Sequence, residues 1–335
     1  MKNYCPPFNI TNEMLSLVSL IMEKIGRVDS LDNLSKYPVL RKQNRIKSIH
    51  SSCAIEANSL SFDEVTNVIN GVKVIGPKKD IIEVSNAIEA YKQIEKINPL
   101  KEEDIKKIHY LFGKDVIQMP GQYRNGNEGV VDEQGNVIFV APPAKMVTSL
   151  MEDLFFWISN EFKNISPLIL SSVFHYEFVF IHPFKDGNGR TARFWQNALL
   201  GKWKPLFYWL PIENQIHKYQ SEYYKAISES HINGDSNAFI IFMLNMINNT
   251  LDELIIDTSN IDFSISIYVN KLTDVLIPNV WYTSKQILDA LGLKSKETLR
   301  KNYINPSISN GLMILEFPDK PTTKNQRYKL VKRKF

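Results

Sequence analysis

From Ser171 to Ile181 the chain is apolar nearly all round. A helix with no polar face has no side to offer water. This segment therefore predicts a buried central helix around which the other elements must pack. The run from Leu168 to Ile181 is too short and too interrupted to span a bilayer. Periodicity is helical through most of the chain as well. Met14-Leu15-Leu17-Val18-Leu20-Ile21, Ile81-Ile82-Val84-Ala87-Ile88-Tyr91 and Met146-Val147-Leu150-Leu154-Phe155-Ile158 each put apolar residues on one helical face. With 335 residues, 44% hydrophobic and 23% charged, the chain can bury a full core and hold two domains.

Two regions depart from simple helix. Gly129-Val130-Val131-Asp132, the turn Glu133-Gln134-Gly135-Asn136 and Val137-Ile138-Phe139-Val140 predict a β-hairpin, ended by Pro142-Pro143. A lone hairpin is marginal unless something packs on it, so it invites a functional reading. Beyond Ser259, Tyr282 to Leu288 reads as a capped helix start and Gly292 as that helix's end. Lys294 through Tyr303 reads as a second helix, and Leu312–Phe317 with Arg327–Val331 as two strands. Helix, turn, helix, hairpin is the order of a winged helix-turn-helix. Lys294, Lys296, Arg300 and Lys301 fall on its second helix. Lys320, Lys324, Arg327, Lys329, Lys332, Arg333 and Lys334 follow with no acidic residue among them. DNA is therefore a candidate partner, and a plain protein contact the alternative.

Cys5 and Cys53 are too few for a disulfide framework or a zinc site and read as reduced thiols. Met1 to Pro7 contains no apolar signal-peptide core. Both features point to the cytoplasm and away from a membrane.

The chemistry concentrates in His182-Pro183-Phe184-Lys185-Asp186-Gly187-Asn188-Gly189-Arg190-Thr191-Ala192-Arg193. The residue before a proline is pushed out of the α region, so the central helix ends at His182. Asp186 to Gly189 makes a turn whose glycines let the backbone approach a ligand, and a new helix starts near Arg190. Such a turn binds anions through free N–H groups and the helix dipole. Arg190 and Arg193 share a face that Asn197 continues, and two guanidiniums beside an amide nest can hold a triphosphate. Asp186 is a hard oxygen ligand suited to Mg²⁺ between phosphates. His182 is a base with an ordinary pKa of about 6.5. Gly187 to Ala192 also fits the dinucleotide pattern GxGxxA, but a helix precedes it where that fold has a strand. His175 and His182 share a face, yet HExxH is absent and no carboxylate is well placed. His175 therefore reads as a hydrogen-bonded core histidine.

The segment resembles the signature of the Fic family, HPFx(D/E)GNGRxxR, at every fixed position. The similarity runs from about Arg41 to Thr250. Gly121-Gln122-Tyr123-Arg124 and the hairpin resemble the family's lead-in and target-docking flap. Tyr223-Tyr224 before Asn233-Gly234-Asp235 resembles its closing region, and the winged helix is similar to one carried by many bacterial members. The resemblance implies a mainly α fold: a Fic helical bundle with a β-hairpin flap, plus a C-terminal winged helix-turn-helix domain. It divides the chain into an N-terminal helical region (1–100), a catalytic core (101–258) and the winged helix (259–335).

The resemblance also implies a protein adenylyltransferase. His182 takes the proton from a Ser, Thr or Tyr hydroxyl, the oxygen attacks the α-phosphate of ATP, and pyrophosphate leaves. Asp186 holds Mg²⁺. Gly187, Asn188 and Gly189 bind α-phosphate oxygens, Arg190 and Arg193 clamp the outer phosphates, and Tyr224 borders the adenine. The strand edge of Val137, Ile138, Phe139 and Val140 pairs with an extended target segment. The partners are ATP and a target protein, with self-modification expected and a homo-oligomer left open. Removal of AMP by water is the alternative reaction. Phosphotransferase relatives carry Lys where this chain has Arg190.

Ser52-Cys53-Ala54-Ile55-Glu56 resembles a second family motif, (S/T)xxxE(G/N), on an inhibitory helix. By that resemblance Glu56 pairs with Arg193 and occupies the arginine that the γ-phosphate needs. Ala57 departs from the pattern. Gly or Asn ends a helix left-handed with ease, whereas alanine costs roughly 1–2 kcal/mol there. Asn58 is expected to end the helix one position later, leaving Glu56 less firmly aimed.

Overall fold

Helical periodicity is realised almost throughout. The computed structural model describes residues 4–30, 38–131, 137–259, 267–309, 312–321 and 323–331. The hairpin turn at 132–136 and the basic residues Lys332, Arg333 and Lys334 lie outside them. The chain divides into two units, one of residues 1–33 and 44–255, the other of 34–43 and 256–335.

The first unit carries α1 (Asn12–Ser30), most of α2 (Pro38–Ile55), α3 (Phe62–Ile69), α4 (Lys78–Tyr91) and α5 (Glu102–Gly113). The hairpin β1 (Gly129–Val131) and β2 (Val137–Val140) follows. Then come α6 (Ala144–Glu161), α7 (Pro167–Ile181), α8 (Asn188–Trp203), α9 (Ile212–Lys218), α10 (Gln220–Asn233) and α11 (Asn237–Ser259).

α7 and α8 pack along one another at the centre. Leu168 to Phe178 is buried without interruption, as an all-round apolar helix requires. Phe155 of α6, Phe174 of α7 and Trp195 of α8 meet with ring centroids 5.5–6.4 Å apart. Each such ring contributes roughly 1.5–3 kcal/mol or more by leaving water. The polar members of α7 find partners. His175 meets Gln196 Oε1 through Nδ1 (2.5 Å) and the Tyr223 hydroxyl through Nε2 (3.0 Å), and burial pushes its pKa down to about 3. It is a neutral core histidine, as the sequence suggested.

α11 is long and apolar enough, from Asn237 to Ile256, to cross a membrane by length and composition. Half of that stretch is buried inside the protein, as in the core helix of a globular unit.

In the hairpin, Gly129 faces Val140 and Val130 faces Phe139, with the register shifting at Val131. Phe139 stacks on His231 at 4.2 Å and leans on Phe180 at 5.3 Å. This is the packing that an isolated hairpin needs.

The second unit contains α12 (Ile267–Val275), β3 (Trp281–Thr283) and α13 (Ser284–Leu291). α14 (Lys296–Thr298) continues through a π-helical turn (Leu299–Ile304) into α15 (Asn305–Ser309), followed by β4 (Met313–Leu315) and β5 (Arg327–Leu330). The strands pair antiparallel in the order β3-β5-β4. Leu272, Ile287, Leu299, Tyr303, Met313 and Leu330 form the core. The helix–turn–helix–hairpin order expected from sequence is present. β3 leaves no separate strand signal in the sequence, because Thr283 serves two elements. It pairs with Arg327 and also caps α13 in a reciprocal box with Gln286.

Candidate active site

α7 ends at His182, which adopts φ 51° and ψ 57° while its N–H still bonds to the Phe178 carbonyl at 3.0 Å. The steric bar before proline is met by a left-handed turn, which reverses the chain within one residue. Arg124 braces this turn. Its Nε donates to the His182 carbonyl (2.7 Å) and its backbone N–H to that of Pro183 (2.9 Å).

The following loop is closed from inside. The Asn188 side chain donates to the Phe184 carbonyl (2.8 Å) and accepts from the Phe184 N–H (3.0 Å). Its amide is spent on the loop, so what Asn188 can offer a phosphate is its backbone N–H. Gly187, at φ 78°, caps α8, which starts at Asn188, two residues before the sequence expectation. Thr191 is the first residue whose N–H finds a helical acceptor, at Gly187 (3.1 Å). By helix geometry the N–H groups of Asn188, Gly189 and Arg190 have no partner within α8, an arrangement whose chemistry suits an anion. Gly189 has a steric reason too: a Cβ there would collide with Glu56 Oε1.

His109 of α5 supports the loop from below. Its Nδ1 accepts the Gly121 N–H and its Nε2 meets the Asp186 carbonyl, both at 2.8 Å. Because Nδ1 must accept, the proton sits on Nε2. The ring stacks on Phe184 at 3.6 Å, and burial pushes its pKa down to about 4, so it stays neutral. The Asp186 carboxylate is more than half exposed and accepts from the Gly187 N–H at 2.5 Å. Among the described residues no group of three or more potential metal ligands exists. A single carboxylate suits Mg²⁺, which keeps water and phosphate oxygens for most of its shell.

Both arginines are buried and paired. Arg193 donates through Nη2 to Glu56 Oε1 (2.7 Å) and to the Ser52 carbonyl (2.9 Å), and through Nε to Ser52 Oγ (3.2 Å). Burial, the largest single influence, opposes its charge, but Glu56 together with the Tyr223 and Tyr224 hydroxyls more than offsets it, and the pKa is raised. Arg190 sits 3.3 Å from Glu83 Oε1 and 3.9 Å from Asp186 Oδ1. Asn197, on the same helix, donates to the buried Glu213 at 2.8 Å rather than joining the arginines.

The end of α2 departs from the sequence expectation. Ala57 itself is left-handed, at φ 60°. Its N–H bonds to Ala54 (3.0 Å) and that of Asn58 to Cys53 (3.2 Å), the paired bonds of a Schellman cap. Asn58 therefore does not end the helix. Its side chain donates to the Asp80 carbonyl (3.1 Å) and to Glu83 Oε2 (3.0 Å), anchoring the cap to α4. Those bonds offset the strain at Ala57 and aim Glu56 at Arg193.

The His182 ring is half-buried, and its Nδ1 makes no hydrogen bond of good geometry. Burial is the largest influence and lowers its pKa, and Arg124 adds to this. The Val179 carbonyl, Glu128 and Glu56 act in the opposite sense. Tyr223 is buried against His175, while Tyr224 is exposed, with Glu56 and Arg193 as its charged neighbours. β2 of the flap leaves one strand edge unpaired among the described residues, and Val140 on it is 68% exposed. The side chains of Val137 and Ile138 lie outside the described residues. His109 and Glu83 carried no local signal in the sequence, and Arg124 only that of the lead-in motif.

The sequence profile of the Fic/DOC family matches residues 99–200, and that of the Fic-like C-terminal domain (filamentation induced by cAMP protein) matches residues 268–331. Protein adenylyltransferase Fic of Nematostella vectensis is 28% identical over 232 residues, 65% of this chain and 50% of that protein. Protein adenylyltransferase fic-1 of Caenorhabditis elegans is 27% identical over 249 residues, 68% of this chain and 46% of that protein. The chain thus spans about half the length of the curated relatives it matches. A solved Fic family protein from Desulfovibrio desulfuricans G20 is similar over 98% of both chains, at 37% identity and a TM-score of 0.73. A signature met at every fixed position and an end-to-end match at that identity lead to one conclusion: the chain belongs to the Fic family.

Proposed function

We propose that the chain is a protein adenylyltransferase that moves AMP from ATP to a Ser, Thr or Tyr hydroxyl of a target protein, its own hydroxyls included. The observation that carries this reading is the turn from His182 to Asn188. It sets a half-buried imidazole one short loop away from the N–H groups that open α8, which by helix geometry have no acceptor within that helix. The names of the relatives support the same reaction.

On this reading the neutral His182 ring accepts the hydroxyl proton as the oxygen bonds to the α-phosphorus. The P–O bond to the β-phosphate breaks and pyrophosphate departs. Burial, which keeps the ring unprotonated near neutral pH, favours this role. The N–H groups of Asn188, Gly189 and Arg190 stabilise charge on the α-phosphate oxygens. Mg²⁺ arriving with the triphosphate would be held by Asp186 and would neutralise phosphate charge. Arg193 reaches the γ-phosphate only after leaving Glu56, so the Glu56–Arg193 pair restrains the enzyme. The test is His182→Ala with ATP labelled on its α-phosphate. Transfer is expected to vanish while calorimetric ATP affinity stays. Retained transfer overturns the reading.

A second role is supported in the other unit. Lys294, Lys296, Arg300 and Lys301 around α14, with Lys320 and Lys324 between β4 and β5, are exposed. None of them makes an ion pair among the described residues. Arg327, in contrast, pairs with Glu316. Unspent cations on a helix–turn–helix and its hairpin fit a DNA backbone, and a winged helix fits the element order. A salt-dependent gel shift that Arg300→Ala with Lys301→Ala weakens supports DNA. An unchanged shift favours a protein contact instead. The reduced thiols support a cytoplasmic place for both activities.

A further inference from the structure

We propose that Arg124 is a positioning residue that fixes His182 to the base of the flap, so that proton acceptor and target-docking strand keep one register. This rests on His182 as the base proposed above. Arg124 is 6% exposed, and its hydrogen-bond partners among the described residues are carbonyl oxygens. Nε donates to His182 (2.7 Å), and Nη2 to Ile181 (3.2 Å) and to Pro142 (2.5 Å). Nη1 donates to Gly126 (2.8 Å), and the backbone N–H to Pro183 (2.9 Å). Ile181, His182 and Pro183 are the carbonyls left over where α7 ends, at the negative pole of its dipole. Gly126 and Pro142 stand on the two legs of the hairpin, before β1 and after β2. One planar fork thus serves the strained turn and both legs together.

Two consequences separate this role from simple stabilisation. The left-handed backbone of His182 is held through its own carbonyl, so loss of the fork lets the imidazole drift from the reacting hydroxyl. A misplacement of about 1 Å costs roughly a hundredfold in rate. The guanidinium charge also bears on the imidazole, together with the other groups that face it: Glu128 beside the flap, Glu56 of the α2 end and the Val179 carbonyl of α7. Lysine keeps the charge but not the fork. Glutamine loses both.

The test compares Arg124→Lys, Arg124→Gln and His182→Ala in the full chain. The readouts are AMP transfer against pH, ATP affinity by calorimetry and hydrogen exchange over Gly129–Val131 and Val137–Val140. Arg124→Lys is expected to lose about tenfold to a hundredfold in kcat, with ATP affinity within about twofold of the parent chain and faster exchange in the flap. Its acid limb should stay in place, whereas that of Arg124→Gln should move to higher pH. Should Arg124→Gln fail to fold, Arg124→Lys carries the test through kcat and exchange. Wild-type transfer in Arg124→Lys overturns the proposal. So does loss of ATP binding together with transfer, which would make Arg124 a general fold determinant. An active His182→Ala would sink the reading of the site itself, whatever Arg124 does.

Discussion

Ala57→Gly isolates a single backbone strain at the end of α2. Ala57 sits at φ 60° as the left-handed residue of the Schellman cap, one position after Glu56. An L-residue with a Cβ costs about 1–2 kcal/mol in that region, and glycine does not. Glycine's extra freedom in the unfolded chain returns about 0.4–1 kcal/mol of that gain. The net stabilisation is therefore about 0.5–1 kcal/mol, directed at the arrangement in which Glu56 meets Arg193. If opening of this cap limits transfer, the open population falls about twofold to fivefold. Self-labelling with ATP should slow by that factor while the urea midpoint rises with an unchanged slope. Faster labelling, or a lower midpoint, would show that the left-handed Ala57 does not hold the latch.

Other expected outcomes concern the metal and the core. Asp186→Ala should lose both transfer and its Mg²⁺ dependence, because Asp186 offers the carboxylate beside the anion site. Turnover at ordinary Mg²⁺ would assign the ion elsewhere. Glu177 of α7 accepts from the Tyr4 hydroxyl at 2.8 Å, and burial pushes its pKa up to about 7. A carboxyl raised in the folded state favours folding fully below its unfolded pKa. That contribution is lost as pH rises through about 7. Glu177→Gln is therefore expected to raise thermal stability at pH about 8, by at most roughly 3 kcal/mol, and to gain little near pH about 4. Equal effects at both values would contradict the linkage.

The sequence carried the elements whose cause is local. An all-round apolar run, a prolyl stop and a glycine-rich turn defined α7, the loop and α8 because each depends on neighbours in the chain. The hairpin and the helix–turn–helix followed for the same reason. What escaped were contacts made by residues far apart in sequence. His109 lies 77 residues from the Asp186 carbonyl it meets, and the Arg190–Glu83 pair joins α8 to α4. Neither leaves a periodic trace. The Asn188 side chain closes the loop and leaves its backbone N–H for a phosphate, a division that only side-chain geometry reveals. At Ala57, propensity pointed to a cap ending at Asn58. Tertiary hydrogen bonds from Asn58 to Asp80 and Glu83 instead hold the alanine in the conformation that the family motif reserves for Gly or Asn.

On the proposed reading, a Glu56 aimed this closely at Arg193 restrains transfer more than a loosely held one would. The direct measurement is transfer of label from the α-phosphate of ATP to protein by the wild-type chain, Glu56→Gly and Glu56→Gly with His182→Ala. Freeing Arg193 from a charge-assisted bond worth about 1.5–3 kcal/mol should raise the rate about tenfold to a hundredfold. Removing His182 should then abolish it. Equal labelling by wild type and Glu56→Gly, or undiminished labelling without His182, would contradict the account.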